Sequence, residues 1–348
     1  MRTDELDYDL PPELIAQRPA ARRDRARLLV LDRTGGRLDD RVVTDLPRLL
    51  RAGDCLVLND TRVLPGRFWA RRPTGAMIEG LFLESPAPGR WKVMLRNARR
   101  VHPGQSLDIL DRHGHAWSRV QAAERLEEGL WLLTGDALGD PVTILGEIGA
   151  VPLPPYIRRD AAGPSTEDAE RYQTVYARQP GAIAAPTAGL HFTPELLDNL
   201  AAVGVTMARV TLHVGAGTFR PVATERLEDH PMHAERYALD PANAEIINTS
   251  IENGGRVIPV GTTSVRTLET VARGRRVEAG SGTTRLFIRP GFRFQVTDAM
   301  MTNFHLPRST LLALVAAFAG LDTIRAAYQH AIEQRYRFYS YGDAMLIL

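Results

Sequence analysis

The sequence predicts an α/β core interrupted by a small β-rich unit, and three observations lead there. After Asp140 helical and strand-like stretches alternate, the pattern of an α/β domain. Between Arg67 and Thr134 short strand-like runs follow one another at close spacing, separated by Gly, Pro and charged turns, with no helix of useful length. Such a texture reads as a small antiparallel barrel or sandwich. The chain has 348 residues, more than one domain usually holds. The division expected is a discontinuous core, 1–65 with 149–348, and an insert over 66–148.

In chain order, residues 7–17 open with a helical turn after Pro11 and Pro12. Arg27 to Asp32 reads as a strand, ended by the Thr34-Gly35-Gly36 turn. One or two helical turns over 45–50 precede a second strand over 54–58. The insert supplies strand-like runs at 76–84, 91–96, 106–110, 115–122 and 129–134, followed by a short helix over 141–147. Pro152 to Tyr156 is a stiff connector. Thr193-Pro194-Glu195 starts a helix: Thr caps, Pro suits the first position, and Leu196, Leu197 and Leu200 make an apolar face. Then come a strand over 205–214, a helix over 242–253, a strand over 256–260, and a helix over 264–271 capped by Ser264. A strand over 285–288 and helices over 309–318 and 321–336 complete the chain.

Composition is that of a soluble globular protein, with 44% hydrophobic and 24% charged residues. The longest apolar run, 311–320, is too short to span a bilayer, and the N-terminus lacks a signal core. A single cysteine, Cys55, fits a cytoplasmic location and reads as a buried small hydrophobe. A net charge of +2 carries no global nucleic-acid signature. Arginines do cluster near 18–27, at 96–100 and at 158–159; Lys92 is the only lysine.

Three strand-to-loop junctions can carry chemistry. Residues 181–193 run through small residues and a lone His191 into a helix N-terminus, which offers backbone N–H groups and a positive dipole end. Leu212 to Phe219 runs into a Gly215-x-Gly217 turn, which lets a backbone approach a ligand but lacks the third glycine of a dinucleotide fingerprint. Val260 to Arg266 is a second such junction, and in α/β domains ligands collect at the carboxyl ends of strands. Asn59 to Arg62 follows a buried strand as either a turn or a site edge. His191 and His305 sit between apolar residues, where packing competes with acid–base work. His213, His230 and His233 suggest a metal, and the last two have helix-like spacing, but Asp229, Pro231 and Pro221 argue for a loop; with no cysteine cluster and no HExxH, no metal is expected.

Six motifs in one order carry a resemblance: NDTRV (59–63), ERYQTVYA (170–177), PTAGLHFT (186–193), LHVGAGTFRPV (212–222), TNFHLPRST (302–310) and YRFYSYGDAM (336–345). The chain resembles the S-adenosylmethionine:tRNA ribosyltransferase-isomerase family of queuosine biosynthesis from Tyr8 to its C-terminus. It departs from the family at Tyr339 and Ile183, and residues 74–80 are its least family-like part. The resemblance implies a barrel-like α/β core with an inserted small antiparallel β-barrel. It implies transfer and isomerisation of the ribosyl group of S-adenosylmethionine onto 7-aminomethyl-7-deazaguanine at the tRNA wobble position. The products are epoxyqueuosine-tRNA, adenine and methionine. S-adenosylmethionine is then a consumed substrate rather than a cofactor, and tRNA is the partner.

That chemistry needs a base for the C5′ hydrogen beside the sulfonium, for which His191 is the first candidate and His305 another. It gains from a proton donor to adenine, a role open to Asp343 or Glu269. Phe192, Phe219 and Phe304 could face the sulfonium. Contacts to S-adenosylmethionine are expected from Thr187, Gly189, Phe192, Gly215, Gly217, Thr218, Thr262 and Thr263. Contacts to tRNA are expected from Arg27, Arg62, Arg99 and Arg100. Two other classes stay open: a methyltransferase, which would release S-adenosylhomocysteine, and an RNA-binding module without catalysis.

Overall fold

The computed structural model describes all residues except 160–164, 216 and 218–221. Its centre is one mixed sheet of nine strands. From one edge to the other these are Gly280–Thr284, Glu235–Leu239, Thr206–Leu212, Cys55–Asn59, Val257–Val260, Met300–Asn303, Ala344–Ile347, Arg27–Leu31 and Leu38–Val42. Four neighbours, from Thr206–Leu212 to Met300–Asn303, run parallel. Ala344–Ile347 is antiparallel to the last of these, so its beginning lies at their carboxyl ends. Every residue of Cys55–Asn59 is buried, as a parallel strand covered on both faces requires. Its alternation sorts the two layers: Cys55 and Val57 pack with Ala208, Ile247 and Leu268, while Leu56 and Leu58 pack with Leu196, Leu200 and Ile258.

The helices sit close to where the sequence puts them. Thr193 Oγ1 caps Pro194–Ala202 by accepting the Leu196 N–H at 3.2 Å. Asp240 caps Pro241–Glu252 and Ser309 caps Thr310–Ala319 in the same way. One cap differs from expectation. The helix Thr262–Val271 begins after Gly261, whose φ of +88° suits glycine, and Ser264 lies inside it with its hydroxyl bonded to the Val260 carbonyl at 2.9 Å. The strand expected over 285–288 is instead Gly280–Thr284, paired along its length with Glu235–Leu239. Among the described residues no single helix is long and apolar enough to cross a membrane.

The insert is a closed antiparallel barrel of six strands: Leu130–Thr134, Arg90–Arg96, Met77–Ala87, Arg67–Arg71, Gln105–Leu110 and Ala116–Arg125. Inward alternation fills it with Phe68, Phe82, Trp91, Val93, Ile109 and Trp131. Gly80 allows this packing, since a Cβ there would stand 2.2 Å from the Phe68 ring. The helix Pro141–Ile148 adds Ile144, Leu145 and Ile148 to the same cluster. The chain leaves and re-enters the core at one point, where Arg67 and Ala150 exchange two backbone hydrogen bonds of 3.0 and 2.7 Å.

Candidate functional site

The carboxyl ends of the parallel strands are tied together by asparagines. Asn59 donates from Nδ2 to the Leu212 carbonyl and to Thr263 Oγ1, each at 3.0 Å, and its Oδ1 accepts the Leu212 N–H at 3.1 Å. Asp60 accepts from Thr211 Oγ1 at 2.7 Å, so the Asn59–Arg62 motif mainly fastens the junction between the strands Cys55–Asn59 and Thr61–Val63. Asn303 repeats the device: it accepts from Thr187 Oγ1 at 2.9 Å and donates to the Tyr339 carbonyl at 3.2 Å. The motifs at 59, 187, 262, 303 and 339 therefore meet at one end of the sheet.

Beside this knot lies a cleft of about 230 Å³ with two walls. The core wall carries Gly215, Gly217, His230, His233, Glu235, Thr262, Thr263 and Arg266. The barrel wall carries Leu83, Glu84, Lys92, Met94, Glu128 and Leu130. Glu128 reaches it from a turn in which its own φ is +54°, a conformation that a side-chain-bearing residue rarely adopts. A second cavity of about 40 Å³ shares Thr262, Thr263 and Leu311 with the cleft and continues to Thr187, Asn303 and His305. A mostly apolar concavity with a few converging polar groups is the usual form of a small-molecule site.

A buried ion pair sits in the core wall. Arg266 bonds to Glu235, donates from Nε to the Leu286 carbonyl at 3.0 Å, and leaves Nη2 without a partner among the described residues. Glu235 also accepts the Gly215 N–H at 3.0 Å, which fixes the start of the glycine turn. Neither residue was singled out by the sequence. They stand 31 positions apart, and only the pairing of Glu235–Leu239 with the sheet edge brings them together.

Several expected site residues stand in the ligand space. Gly215, Gly217, Thr262 and Thr263 line the cleft, and Thr187, Thr262, Thr263 and His305 line the inner cavity. Burial pushes the His305 imidazole down to about 3, and its Nε2 lies 2.7 Å from the Thr302 hydroxyl. His230 and His233 are also there, although the sequence had raised them only as possible metal ligands. The ring of His233 packs on Gly217, where a Cβ would approach it to 2.5 Å. Its nitrogens have no hydrogen-bond partner among the described residues. His230 is shifted below the usual histidine range by burial and then by His233. Thr218 and Phe219 lie outside the described residues.

Others are placed differently, each for a physical reason. His191 lines neither cavity: its Nδ1 and Nε2 each face a carbonyl oxygen at 3.0 Å, Ala188 and Gly342 respectively. It is thus a tie between two segments, not a base with a lone pair aimed at substrate. Glu269 accepts from the backbone N–H groups of Gln295, Val296 and Thr297 and from the Thr297 hydroxyl, so its carboxylate is filled by one loop. Asp343 accepts the Arg27 and Arg337 N–H groups at 2.9 and 2.8 Å and joins two strand starts. Neither acid has an oxygen turned to the cleft as a proton donor to adenine. Phe192 and Phe304 are fully buried, the first against Tyr176 and the second within Tyr328, Tyr336 and Phe338. Gly189 is packed under Tyr176, whose hydroxyl a Cβ would meet at 2.0 Å.

The expected RNA contacts divide as well. Arg99 and Arg100 are exposed on a turn of the barrel, and Arg62 is exposed at the strand end. Arg27 is engaged within the protein: it donates to the Gln334 carbonyl at 2.6 Å and to Asp40 at 3.3 Å, and stacks 3.7 Å from the Tyr336 ring centre.

Comparison with known proteins gives the family. A family model described as queuosine biosynthesis protein matches residues 3–347. The chain is 51% identical to the S-adenosylmethionine:tRNA ribosyltransferase-isomerase of Moorella thermoacetica, covering 100% of both chains. It is 52% identical to the protein of that name from Thermus thermophilus, over 98% of each. Among solved structures it resembles an S-adenosylmethionine tRNA ribosyltransferase from Thermotoga maritima. There the TM-score is 0.57 and the identity 39%, over 99% of this chain and 100% of the other. The chain belongs to the queuosine biosynthesis protein family, that of the S-adenosylmethionine:tRNA ribosyltransferase-isomerases.

Proposed function

We propose that the protein transfers and isomerises the ribosyl group of S-adenosylmethionine onto 7-aminomethyl-7-deazaguanine at the wobble position of tRNA. Epoxyqueuosine-tRNA forms, and adenine and methionine leave. The observation that carries this reading is the two-walled cleft. Strand-end loops of the core, with Gly215, Thr262 and Thr263, offer a site for a small ligand, and the barrel faces them from across the opening. A reaction between a nucleoside donor and a base in a large RNA needs both: a closed side for the first and an accessible side for the second. S-adenosylmethionine is consumed, so no resident cofactor or metal enters the scheme, and a tRNA substrate places the work in the cytoplasm. Residues 66–148 serve as the inserted unit, a reading supported by the single Arg67–Ala150 junction.

With both His191 nitrogens facing carbonyl oxygens outside the ligand space, the C5′ proton goes to a histidine within it. We assign His233, which is exposed, makes no ring hydrogen bond among the described residues and packs on the glycine turn at Gly217. His305, pushed down to about 3, binds a proton too weakly to be an efficient base near neutrality. The deciding experiment is to incubate the protein with S-adenosylmethionine and tRNA bearing the precursor base and to measure free adenine. S-adenosylhomocysteine would indicate a methyltransferase, and no product a binding module; either result overturns the proposal.

A further inference from the structure

The barrel wall of the cleft holds a feature that the proposed reaction, on which the following rests, does not yet use. Lys92 Nζ lies 3.1 Å from Glu84 Oε1, and both line the cleft. The pair faces each other across Met77–Ala87 and Arg90–Arg96, and an exposed cross-strand pair of this kind adds little to stability. Two independent observations set it apart. Strand alternation buries Phe82 and turns Leu83 outward, so Glu84 would point inward; a bulge between Phe82 and Glu84 brings it out beside Leu83 on the cleft side. Bulges that re-aim a side chain are common beside functional sites. The second is compositional. Among 43 basic residues Lys92 is the only lysine, and it is the only cation that the barrel presents to the cleft among the described residues.

We infer that Glu84 and Lys92 read the modified base itself. On its outer edge 7-aminomethyl-7-deazaguanine carries a carbonyl oxygen, O6, next to a cationic aminomethyl group at C7. A carboxylate beside an ammonium is the complement: Glu84 accepts from the aminomethyl group and Lys92 donates to O6. The same chemistry explains the lysine. Arginine suits guanine because its fork reaches O6 and N7 together, but this base has no N7 acceptor and places a positive charge near that position. A single-point ammonium serves O6 without meeting that charge head-on. The route for an RNA is present too. Lys92, Met94 and Arg96 share the outer face of one strand, so Arg96 follows Lys92 by about 13 Å. Arg99 and Arg100 continue the exposed basic surface beyond it. The core loops remain for S-adenosylmethionine.

The test measures binding of anticodon stem-loop RNAs with either the precursor base or guanine, to the wild type, Glu84→Gln, Lys92→Met and Lys92→Arg. KM for S-adenosylmethionine is read from adenine release. Both positions are partly exposed, so the variants should keep the wild-type melting temperature. Expected is a wild-type preference for the precursor base that falls about 10-fold or more in Glu84→Gln, the effect of losing a charged hydrogen bond. Guanine-RNA affinity and KM for S-adenosylmethionine stay unchanged in that variant. Lys92→Met weakens both RNAs, and Lys92→Arg shifts preference toward guanine. A base preference untouched by Glu84→Gln and Lys92→Arg overturns the inference. So does a raised KM for S-adenosylmethionine with the preference intact, which would give the pair to the methionyl zwitterion. Failure of the reaction itself would read differently, as a wild type that releases no adenine.

Discussion

His191 and Gly342 are joined by a 3.0 Å hydrogen bond between imidazole Nε2 and carbonyl oxygen, across 151 residues of sequence. The bond pins the turn Thr187–His191 to the start of the last core strand, and the Ala188 carbonyl holds the other nitrogen. A neutral imidazole has one N–H to donate and both of these carbonyl residues are buried, so removing the ring leaves one acceptor unpaired at a cost of about 1–3 kcal/mol. His191→Ala should therefore melt several degrees lower, with binding and turnover falling only as the folded fraction falls. Thermal melts beside single-turnover rates decide it: an unchanged melting temperature with a rate loss of about 10²-fold or more would restore His191 as the base.

Arg27 and Arg99 should respond oppositely to alanine. Arg99 and Arg100 are exposed on the barrel, so the double replacement should lower the dependence of log K on log salt by about one unit for each lost phosphate contact. Arg27 is spent on Asp40, the Gln334 carbonyl and the Tyr336 ring, so Arg27→Ala should cost stability and leave the slope alone. Salt titrations of tRNA binding separate the two. A slope that falls on replacing Arg27 would return it to the RNA surface.

How far the sequence reaches can be judged from particular residues. The helices at Pro194, Pro241 and Thr310 were legible because a capping oxygen precedes an apolar periodicity at each. Met300–Asn303 and Ala344–Ile347 were not: four buried residues leave no period to read, and their strand character comes from pairing with each other and with Val257–Val260 and Arg27–Leu31 on either side. Gly280–Thr284, with two glycines and a serine in five residues, has weak strand propensity and exists through its ladder to Glu235–Leu239. The same limit applies to the site. Gly215, Thr262 and Thr263 could be found because they sit in strand-to-loop junctions. Arg266–Glu235 could not, because the pair is made by sheet topology. Phe192 and Phe304 show the converse: a side chain inside a motif gives no sign of whether it faces a ligand or the core.

If His233 takes the C5′ proton, its loss should abolish exchange of that hydrogen with solvent. In deuterated water with S-adenosylmethionine and precursor tRNA, His233→Ala should lose exchange and turnover together, by about 10² to 10⁴. His233 is exposed and makes no hydrogen bond among the described residues, so its melting temperature should hold. Exchange that persists in His233→Ala but disappears in His305→Ala would move the base to the inner cavity.

The shift of His305 has a consequence for stability that does not depend on the reaction. Its imidazole is pushed by burial down to about 3 in the folded protein, against an ordinary value near 6.5 in the unfolded chain. Between those values the unfolded chain takes up a proton that the native state refuses. Stability must therefore fall as pH drops through 6.5 toward 3, and it is unaffected by this group above about 7. At pH 5 the loss is about 2 kcal/mol, from roughly 1.5 pH units at 1.36 kcal/mol each. His305→Gln removes the titrating ring while keeping a polar partner for Thr302. It should be less stable than the wild type at pH 7.5, from changed packing, but lose about 2 kcal/mol less on going to pH 5. Denaturant unfolding of both proteins at the two pH values measures the difference directly. Equal losses in both would mean that His305 already carries its proton in the folded state at pH 5.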